Sequence, residues 1–284
     1  MKLTYQNIER INDDDFAKVS KIIEQKKVLN KLKKFYNICT KTKFSHNILE
    51  SIYGRIFLMA KILIFNNDTD RMETYYRGES EPMPYNTNVT LRVREFRGSS
   101  KSNILWTTKR CMQSWNSQRY IFGGPIPVGF AFKRPYEGGH GNQSQHYAGV
   151  AFDVGQTLSA SRRRQLWNSA NNSGVWYYVE PISLTPTWVH FDRRFGTPAC
   201  SSGGYPTLRR GSLSNYVLIA QDDLNTLGYR TNGLDGIFGS ATQNAVISYQ
   251  RSRGLTADGI VGCNTWRSLQ EEVVGTGATN TTIN

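Results

Sequence analysis

The sequence predicts an α+β protein, in which a mixed domain with a small antiparallel sheet precedes a helical module. Three observations carry this prediction. Residues 175–181 and 187–191 are short runs rich in aromatic and β-branched side chains, which is typical of strands joined by a turn. From Val217 onward, apolar residues recur at helical spacing instead. Residues 196–214, between the two patterns, are rich in Gly, Ser, Pro and Thr, which indicates a linker.

The first 71 residues differ in composition from the rest of the chain. They contain 11 lysines and 3 arginines, whereas residues 72–284 contain 3 lysines and 18 arginines. Apolar residues between Phe16 and Tyr36 recur at helical spacing and follow three aspartates, so an amphipathic helix is predicted there. Residues 1–71 are therefore interpreted as a lysine-rich helical segment without an assigned role.

The most apolar stretch, residues 48–65, is predicted to be a buried or interfacial helix. Glu50, Arg55 and Lys61 interrupt it, and a membrane-spanning helix needs about 20 largely uncharged residues. The N-terminus also lacks the apolar core of a secretory signal. We therefore expect neither a membrane span nor a signal peptide.

The mixed domain is predicted to occupy residues 72–197. Alternating apolar and basic residues at 90–96 favour a half-buried strand, and residues 124–134 favour a strand that follows a proline turn. Helices are predicted at 107–116 and 159–171. Together with the two strands named above, these elements predict a mixed α+β architecture.

The C-terminal module, residues 213–270, is predicted to contain helices and a short internal repeat. Its first helix ends at Gly228, and Ser240 forms a capping box with Gln243 at the start of the next helix. The repeat pairs DGIFGSAT with DGIVGCNT, and each copy turns through Asp-Gly into a helix start. The polar tail at 271–284 is rich in Gly and Thr and is predicted to be disordered.

Composition limits the classes of partner and the redox state. The net charge of +13 indicates an anionic partner, such as nucleic acid, a membrane surface or an acidic wall polymer. No nucleic-acid-binding motif accompanies the charge, so we do not expect a nucleic-acid partner. The four cysteines are scattered and form no CxxC pair, so we expect them to be reduced or unpaired.

Histidines and a carboxylate mark one candidate metal site. His146 and Asp153 lie seven positions apart with Gly149 and Ala151 between them, and His190 lies in a predicted strand. The two small residues would let backbones approach closely. Two imidazoles and one carboxylate suit zinc, and three protein ligands leave one coordination position open, as in catalytic sites.

Asp192 is predicted on the same strand face as His190, because it lies two residues further on. It could act as a general base or as the partner that orients a ligand histidine. His46 and His140 have no comparable context, although the Gly-rich surroundings of His140 could line a cleft.

This pattern resembles the M15 family of zinc D-Ala-D-Ala carboxypeptidases and L-alanyl-D-glutamate endopeptidases. The resemblance rests on S-x-H-x-x-G-x-A-x-D at residues 144–153 and on WVHFD at residues 188–192. It covers about residues 90–197. It implies the zinc-site fold that the family shares with the Hedgehog signalling domain.

The resemblance also implies roles for particular residues. His146, Asp153 and His190 correspond to the zinc ligands. The family carries an upstream arginine that binds a substrate carboxylate, and Arg134 matches it in placement.

The catalytic base departs from the pattern of many family members. These members place Glu or Asp three residues before the last histidine, or a histidine two residues before it, and here those positions are Thr187 and Trp188. The His-x-Asp form of HFD resembles a subset of the family. The base is therefore Asp192 or Glu180, and the strand-face geometry favours Asp192.

The C-terminal module resembles the peptidoglycan-binding domain type 1, a three-helix unit. The segments AQDDLNTLGY, DGIFGSAT, YQRSRGL and DGIVGCNTW carry this resemblance. The two resemblances together predict a zinc-dependent peptidase that cuts stem-peptide or cross-bridge amides of peptidoglycan and is anchored to the wall by its module. The residues between the domains, 198–212, are the predicted linker.

The predicted partners are peptidoglycan and anionic wall polymers. The predicted location is the cell wall or the extracellular space after release, in a bacterial or phage-encoded protein. The alternative is a non-catalytic, zinc-containing peptidoglycan-binding protein, which the displaced catalytic residue favours.

Overall fold

The computed structural model describes residues 59–277, which contain three small sheets and six α-helices. The strands are β1 (Ala60–Asn66), β2 (Arg71–Arg77), β3 (Ile104–Thr108), β4 (Val128–Phe130), β5 (Ala151–Val154), β6 (Tyr178–Val179), β7 (Val189–Asp192), β8 (Pro198–Cys200) and β9 (Gly203–Pro206). The helices are α1 (Val93–Arg97), α2 (Lys109–Phe122), α3 (Ala160–Asn172), α4 (Asn215–Thr226), α5 (Ser240–Ser252) and α6 (Cys263–Val273). The mixed α+β architecture and the helical C-terminal module are confirmed. Within residues 59–277, no helix is long and apolar enough to cross a membrane.

The first sheet has the order β2-β1-β3, and β1 runs parallel to β3. The predicted helix at 48–65 is therefore wrong at its C-terminal end, where β1 is a buried strand. A strand that is buried on both faces is a continuous apolar run, and periodicity does not distinguish such a run from a buried helix. The compact unit begins at Lys61 rather than near residue 72. The rest of that predicted helix and the helix predicted around residues 16–36 lie outside the described residues.

The predicted strand at 90–96 is also wrong, because this segment contains the short helix α1. Its start is stabilised by Glu95, whose carboxylate accepts a hydrogen bond from the backbone N–H of Arg92 at 2.6 Å. Val93 and Phe96 are the buried residues of the helix. Their separation of three residues places both side chains on one helical face. The burial of this face outweighs the alternation of apolar and basic residues on which the predicted strand was based.

The second sheet is antiparallel, has the order β4-β5-β7-β6, and carries the candidate metal ligands. The strands predicted at 124–134, 175–181 and 187–191 are confirmed as β4, β6 and β7. α2 and α3 begin within two residues of their predicted starts. Buried aromatic rings fill the core beside this sheet, including Trp115 against Phe152 with 4.7 Å between ring centroids.

The predicted linker is wrong, because residues 198–206 form the β8–β9 hairpin. A disulfide joins Cys200 to Cys263 at the start of α6, so the expectation of reduced or unpaired cysteines is wrong for this pair. The two residues are separated by 63 positions, and the fold alone brings them together. Cys111 is buried and forms no disulfide within the described part of the chain, and Cys39 lies outside that part.

The predicted tail is ordered where it is described. α6 extends to Val273, and the backbone N–H groups of Gly275 and Gly277 donate to the carbonyls of Pro135 and Tyr136 at 3.1 and 2.8 Å. Residues 274–277 therefore pack on the mixed domain.

The internal repeat of the C-terminal module has a structural basis in two buried glutamines. Gln221 donates to the Asp235 carboxylate at 2.7 Å, and Gln250 donates to the Asp258 carboxylate at 2.9 Å. Each glutamine also donates to the threonine near the start of the following helix. The two Asp-Gly turns are thus built by the same hydrogen bonds.

Candidate metal centre

Two strands and one loop bring the predicted ligands together. Asp153 on β5 and His190 on β7 are directly opposite in the antiparallel register. The Nδ1 atom of His190 lies 2.7 Å from Oδ1 of Asp153. His146 lies in the loop before β5, and its Nε2 atom is 3.3 Å from Oδ2 of Asp153. The three side chains therefore meet beside the two central strands of the sheet, β5 and β7.

The loop between His146 and Asp153 depends on a glycine. Gly149 has φ of +68°, and a Cβ atom added there would lie 1.9 Å from the carbonyl oxygen of Trp106. Only glycine fits this backbone conformation and this close approach. The expectation that Gly149 permits backbone contact is confirmed.

Gly149→Ala is expected to lower the free energy of unfolding by at least about 3 kcal/mol, because it combines left-handed strain with a backbone clash. Gly174→Ala is the matched control. Gly174 has φ of +65° with nothing within 4 Å of the added Cβ, so strain alone costs about 1–2 kcal/mol there. Urea unfolding of both variants measures the difference. Equal losses would contradict the role of the Trp106 contact.

The hydrogen bonds of His146 determine which ring nitrogen faces the site. Nδ1 lies 3.1 Å from the carbonyl oxygen of Ala131. A carbonyl can only accept, so Nδ1 carries the proton, and Nε2 of the neutral ring presents a lone pair. Nε2 is buried and has no hydrogen-bond partner among the described residues. A buried lone pair without a donor fits a metal ligand whose other nitrogen is held by a carbonyl.

His190 lies between two carboxylates. Its Nδ1 faces Asp153, and its Nε2 is 3.5 Å from Oδ2 of Asp192. Burial opposes protonation of His190, but the two carboxylates outweigh burial and raise its pKa to about 9. Burial likewise opposes ionisation of Asp153, but the neighbouring imidazoles hold the pKa of its carboxyl well below the usual range. The centre therefore keeps its carboxylates ionised and attracts a positive charge.

His140 is the site residue that sequence reasoning set aside. Its ring stacks on that of His146 with 4.1 Å between centroids, and its Nε2 is 3.9 Å from Oδ2 of Asp153. The ligand atoms of His140, His146 and Asp153 lie within 4.8 Å of one another. The hydroxyl of Tyr147 accepts a hydrogen bond from the backbone N–H of His140 at 3.1 Å and donates one to the carbonyl of His140 at 2.7 Å. The only signal in the sequence was the position of His140 in a Gly-rich stretch six residues before His146.

The two candidate bases lie in different environments. Asp192 is fully buried and forms hydrogen bonds with the Arg194 guanidinium, including Nε to Oδ1 at 2.8 Å. Glu180 is half-buried and lines the cavity, and its backbone N–H donates to the carbonyl of His190 at 3.0 Å. Its carboxylate has no hydrogen bond or ion pair among the described residues. The strand-face argument for Asp192 as a base is therefore weakened, and the role of orienting His190 fits its contacts.

A cavity of about 440 Å³ opens beside these side chains. Its lining comes from residues 140–204 and includes the candidate ligands: His140, His146, Asp153, Tyr178, Glu180, Trp188, His190, Arg194 and the β8–β9 turn at 202–204. The segment predicted as a linker is thus one wall of the cleft.

Arg134 does not line this cavity, in contrast to the expectation that it binds a substrate carboxylate. Its side chain is buried and forms an ion pair with Asp222 on α4, with Nε to Oδ2 at 2.6 Å. The two residues are 88 positions apart, so no local pattern could identify the partner. Arg194 is an arginine that does line the cavity. It stacks over Tyr178, with its guanidinium carbon 4.8 Å from the ring centroid.

Comparison with known proteins assigns the C-terminal module. Residues 214–269 match the family described as "Putative peptidoglycan binding domain". The match spans α4, α5 and most of α6, with both copies of the repeat. The chain therefore contains a peptidoglycan-binding domain, as the sequence predicted.

Individual relatives share shorter regions with this chain. A 53-residue region is 53% identical to the N-acetylmuramoyl-L-alanine amidase CwlM of Mycobacterium tuberculosis and covers 19% of this chain and 13% of that protein. A 78-residue region is 38% identical to an uncharacterized protein in the bpoA1 3′ region of Kitasatospora aureofaciens and covers 26% of this chain and 66% of that protein.

One solved structure is also similar in sequence. A peptidoglycan-binding protein from Clostridioides difficile, in complex with glutamine hydroxamate, is 44% identical over 25% of this chain and 44% of that chain, with a TM-score of 0.24. The chain thus spans less than two thirds of the length of each of these three proteins.

Proposed function

We propose that this chain is a zinc-dependent peptidase that cuts amide bonds in the peptides of peptidoglycan. The observation that carries the proposal is the buried Nε2 atom of His146, which has no hydrogen-bond partner within residues 59–277 and lies 3.3 Å from the Asp153 carboxylate. Buried polar atoms are almost always bonded, so this lone pair indicates a ligand. A peptidoglycan-binding domain in the same compact unit supports the substrate class.

Three side chains would hold the metal: His146 through Nε2, His190 through Nδ1, and Asp153. Nitrogen and carboxylate ligands in this number suit zinc and a catalytic rather than a structural site. When bound, zinc supplies Lewis acidity, which polarises a carbonyl and makes water more acidic. Asp192 orients His190 from behind and is itself held by Arg194.

Glu180 is the proposed general base. Glu180 lines the cavity, and its carboxylate is free of hydrogen bonds and ion pairs among the described residues. It is therefore proposed to take a proton from water and return it to the leaving amine. Its backbone bond to His190 holds Glu180, the residue after β6, beside β7. We prefer Glu180 to Asp192 because Asp192 is buried and paired with Arg194.

The proposed site of action is the cell wall or the extracellular space after release, for a bacterial or phage-encoded protein. The basic charge of +13 favours anionic wall polymers as additional partners. The amidase relative is named for hydrolysis of a wall component, which agrees with this setting.

The protein is expected to bind about one zinc per chain, because the two imidazoles and one carboxylate form a single site. His146→Ala and His190→Ala are each expected to lose most of the metal. Asn142→Ala is the control, since Asn142 lines the same cavity without belonging to the ligand cluster. Elemental analysis after dialysis measures the content. Unchanged zinc in both histidine variants would contradict the ligand assignment.

Digestion of purified sacculi, followed by mass analysis of the fragments, tests the reaction. The proposal expects new peptide termini within stem peptides or cross-bridges, which disappear in His146→Ala. Release of intact peptides from the glycan would contradict a peptidase and indicate an amidase. Binding of sacculi without any fragment, in a zinc-loaded protein, would indicate the non-catalytic alternative.

A further inference from the structure

The loop that carries His146 is held by the C-terminal module as well as by its own domain. The side-chain amide of Asn215 donates to the carbonyl of Ala148 at 2.6 Å. The hydroxyl of Tyr216 donates to the side-chain carbonyl of Gln145 at 2.9 Å. Both donors lie in the first turn of α4, so one helix of the module binds the loop on both sides of His146.

The Tyr216 hydroxyl also reaches the second ligand-bearing segment. It accepts a longer hydrogen bond, 3.4 Å, from the backbone N–H of Phe195. The Phe195 and Tyr216 rings are in contact, with 5.0 Å between centroids. Phe195 follows β7, which carries His190. A single hydroxyl of the module thus connects the loop of His146 with the chain that leaves the strand of His190.

The hydrogen bonds of Asn215 and Tyr216 to the His146 loop are buried, so their loss is not compensated by water. Tyr216 is 1% exposed, Gln145 is 5% exposed, and Asn215 is fully buried. Removing one partner of a buried hydrogen bond leaves the other partner unsatisfied. This costs more free energy than an exposed hydrogen bond contributes. The buried ion pair between Arg134 and Asp222 holds the same helix against the mixed domain.

We propose that the peptidoglycan-binding module is part of the metal centre as well as a wall anchor, and that Tyr216 is a positioning residue for the zinc ligands. The inference rests on the proposed function, since it assumes that His146 and His190 bind zinc. A module that only anchors the enzyme would have no effect on zinc affinity. A module that positions the ligands has an effect on zinc affinity that is independent of wall binding.

The test is the zinc affinity of Tyr216→Phe in the full chain, measured by competition with a chelator. This change removes the hydroxyl and keeps the ring. Tyr249→Phe is the matched control, because Tyr249 is a buried tyrosine of the same module whose hydroxyl, among the described residues, bonds to Ser268 and Glu272 on α6. Pelleting with sacculi measures wall binding of both variants.

We expect Tyr216→Phe to weaken zinc binding about tenfold, the lower end of the range for outer-shell partners of metal ligands. Sacculus binding should stay at the wild-type level in both variants, and Tyr249→Phe should keep wild-type zinc affinity. If Tyr216→Phe binds zinc as tightly as the wild type, or if Tyr249→Phe loses as much affinity, the inference is wrong.

If Tyr216→Phe does not fold, Gln145→Met removes the same hydrogen bond from the loop side at similar volume. Its zinc affinity is then judged by the same two criteria. A wild-type chain that takes up no zinc would overturn the metal centre and this inference together. Normal zinc in the wild type, its loss in His146→Ala and no effect of the hydroxyl would overturn the inference alone.

Discussion

Glu180→Gln is expected to lower the rate of peptidoglycan hydrolysis by about 10²- to 10⁴-fold while zinc content stays at the wild-type level. Glu180 lines the cavity, and its carboxylate is unpaired among the described residues, so it is available to accept a proton. An amide keeps the size and polarity of the side chain but is not basic. Fragment release from sacculi and elemental analysis measure the two quantities.

Two comparisons make this prediction specific. Glu79→Gln is a control in a carboxylate that pairs with Arg97 and does not line the cavity, and it should keep the wild-type rate. Asp192→Asn should weaken zinc binding and lower the melting temperature, because it disturbs a buried pair with Arg194. If Glu180→Gln stays active and Asp192→Asn loses activity with zinc and stability intact, then Asp192 is the base.

A chain that begins at Met72 is expected to be insoluble or unfolded, whereas a chain that begins at Met59 is expected to fold. The shorter chain lacks β1, which pairs with β3 along five residues. Four neighbouring apolar side chains of β1 are buried: Ile62, Leu63, Ile64 and Phe65. Each contributes about 1.5–3 kcal/mol on burial. Their sum is comparable to the whole stability of a domain, about 5–15 kcal/mol.

Solubility and thermal melting followed by circular dichroism compare the two truncations. Both lack residues 1–58, so the comparison isolates β1 and the turn that follows it. A Met72 chain that is soluble and melts at the temperature of the Met59 chain would show that β1 is dispensable.

Local sequence patterns identified the helices and strands that depend mainly on neighbouring residues in the chain. The starts of the helices predicted at 107–116 and 159–171, and the strands β4, β6 and β7 of the second sheet, follow from periodicity and from turn residues. Gly149 followed from the need for close backbone approach. These predictions succeeded because each depends on residues within one turn or one strand.

Patterns of the same kind failed where the structure of a segment depends on burial of both its faces or on a partner that is distant in the chain. The apolar run of β1 carries no periodicity, so its type depends on the strand it pairs with. The stretch at 198–206 has the composition of a linker, but Cys200 is joined to Cys263, and Tyr205 packs against Trp266 with 5.0 Å between centroids. Amino-acid composition indicates how flexible an isolated segment is, but it contains no information about such distant contacts.

The sequence by itself determined which side chains are proposed for the candidate metal centre: His146, Asp153 and His190 were named from residue type and spacing. Only the tertiary structure decided how their neighbours are used. It buried Asp192 against Arg194 and left Glu180 in the cavity, and it paired Arg134 with Asp222 across 88 positions. The physical reason is that the chemistry of a side chain is intrinsic to its type, whereas its charge state, access and partners depend on packing between segments that are distant in the chain.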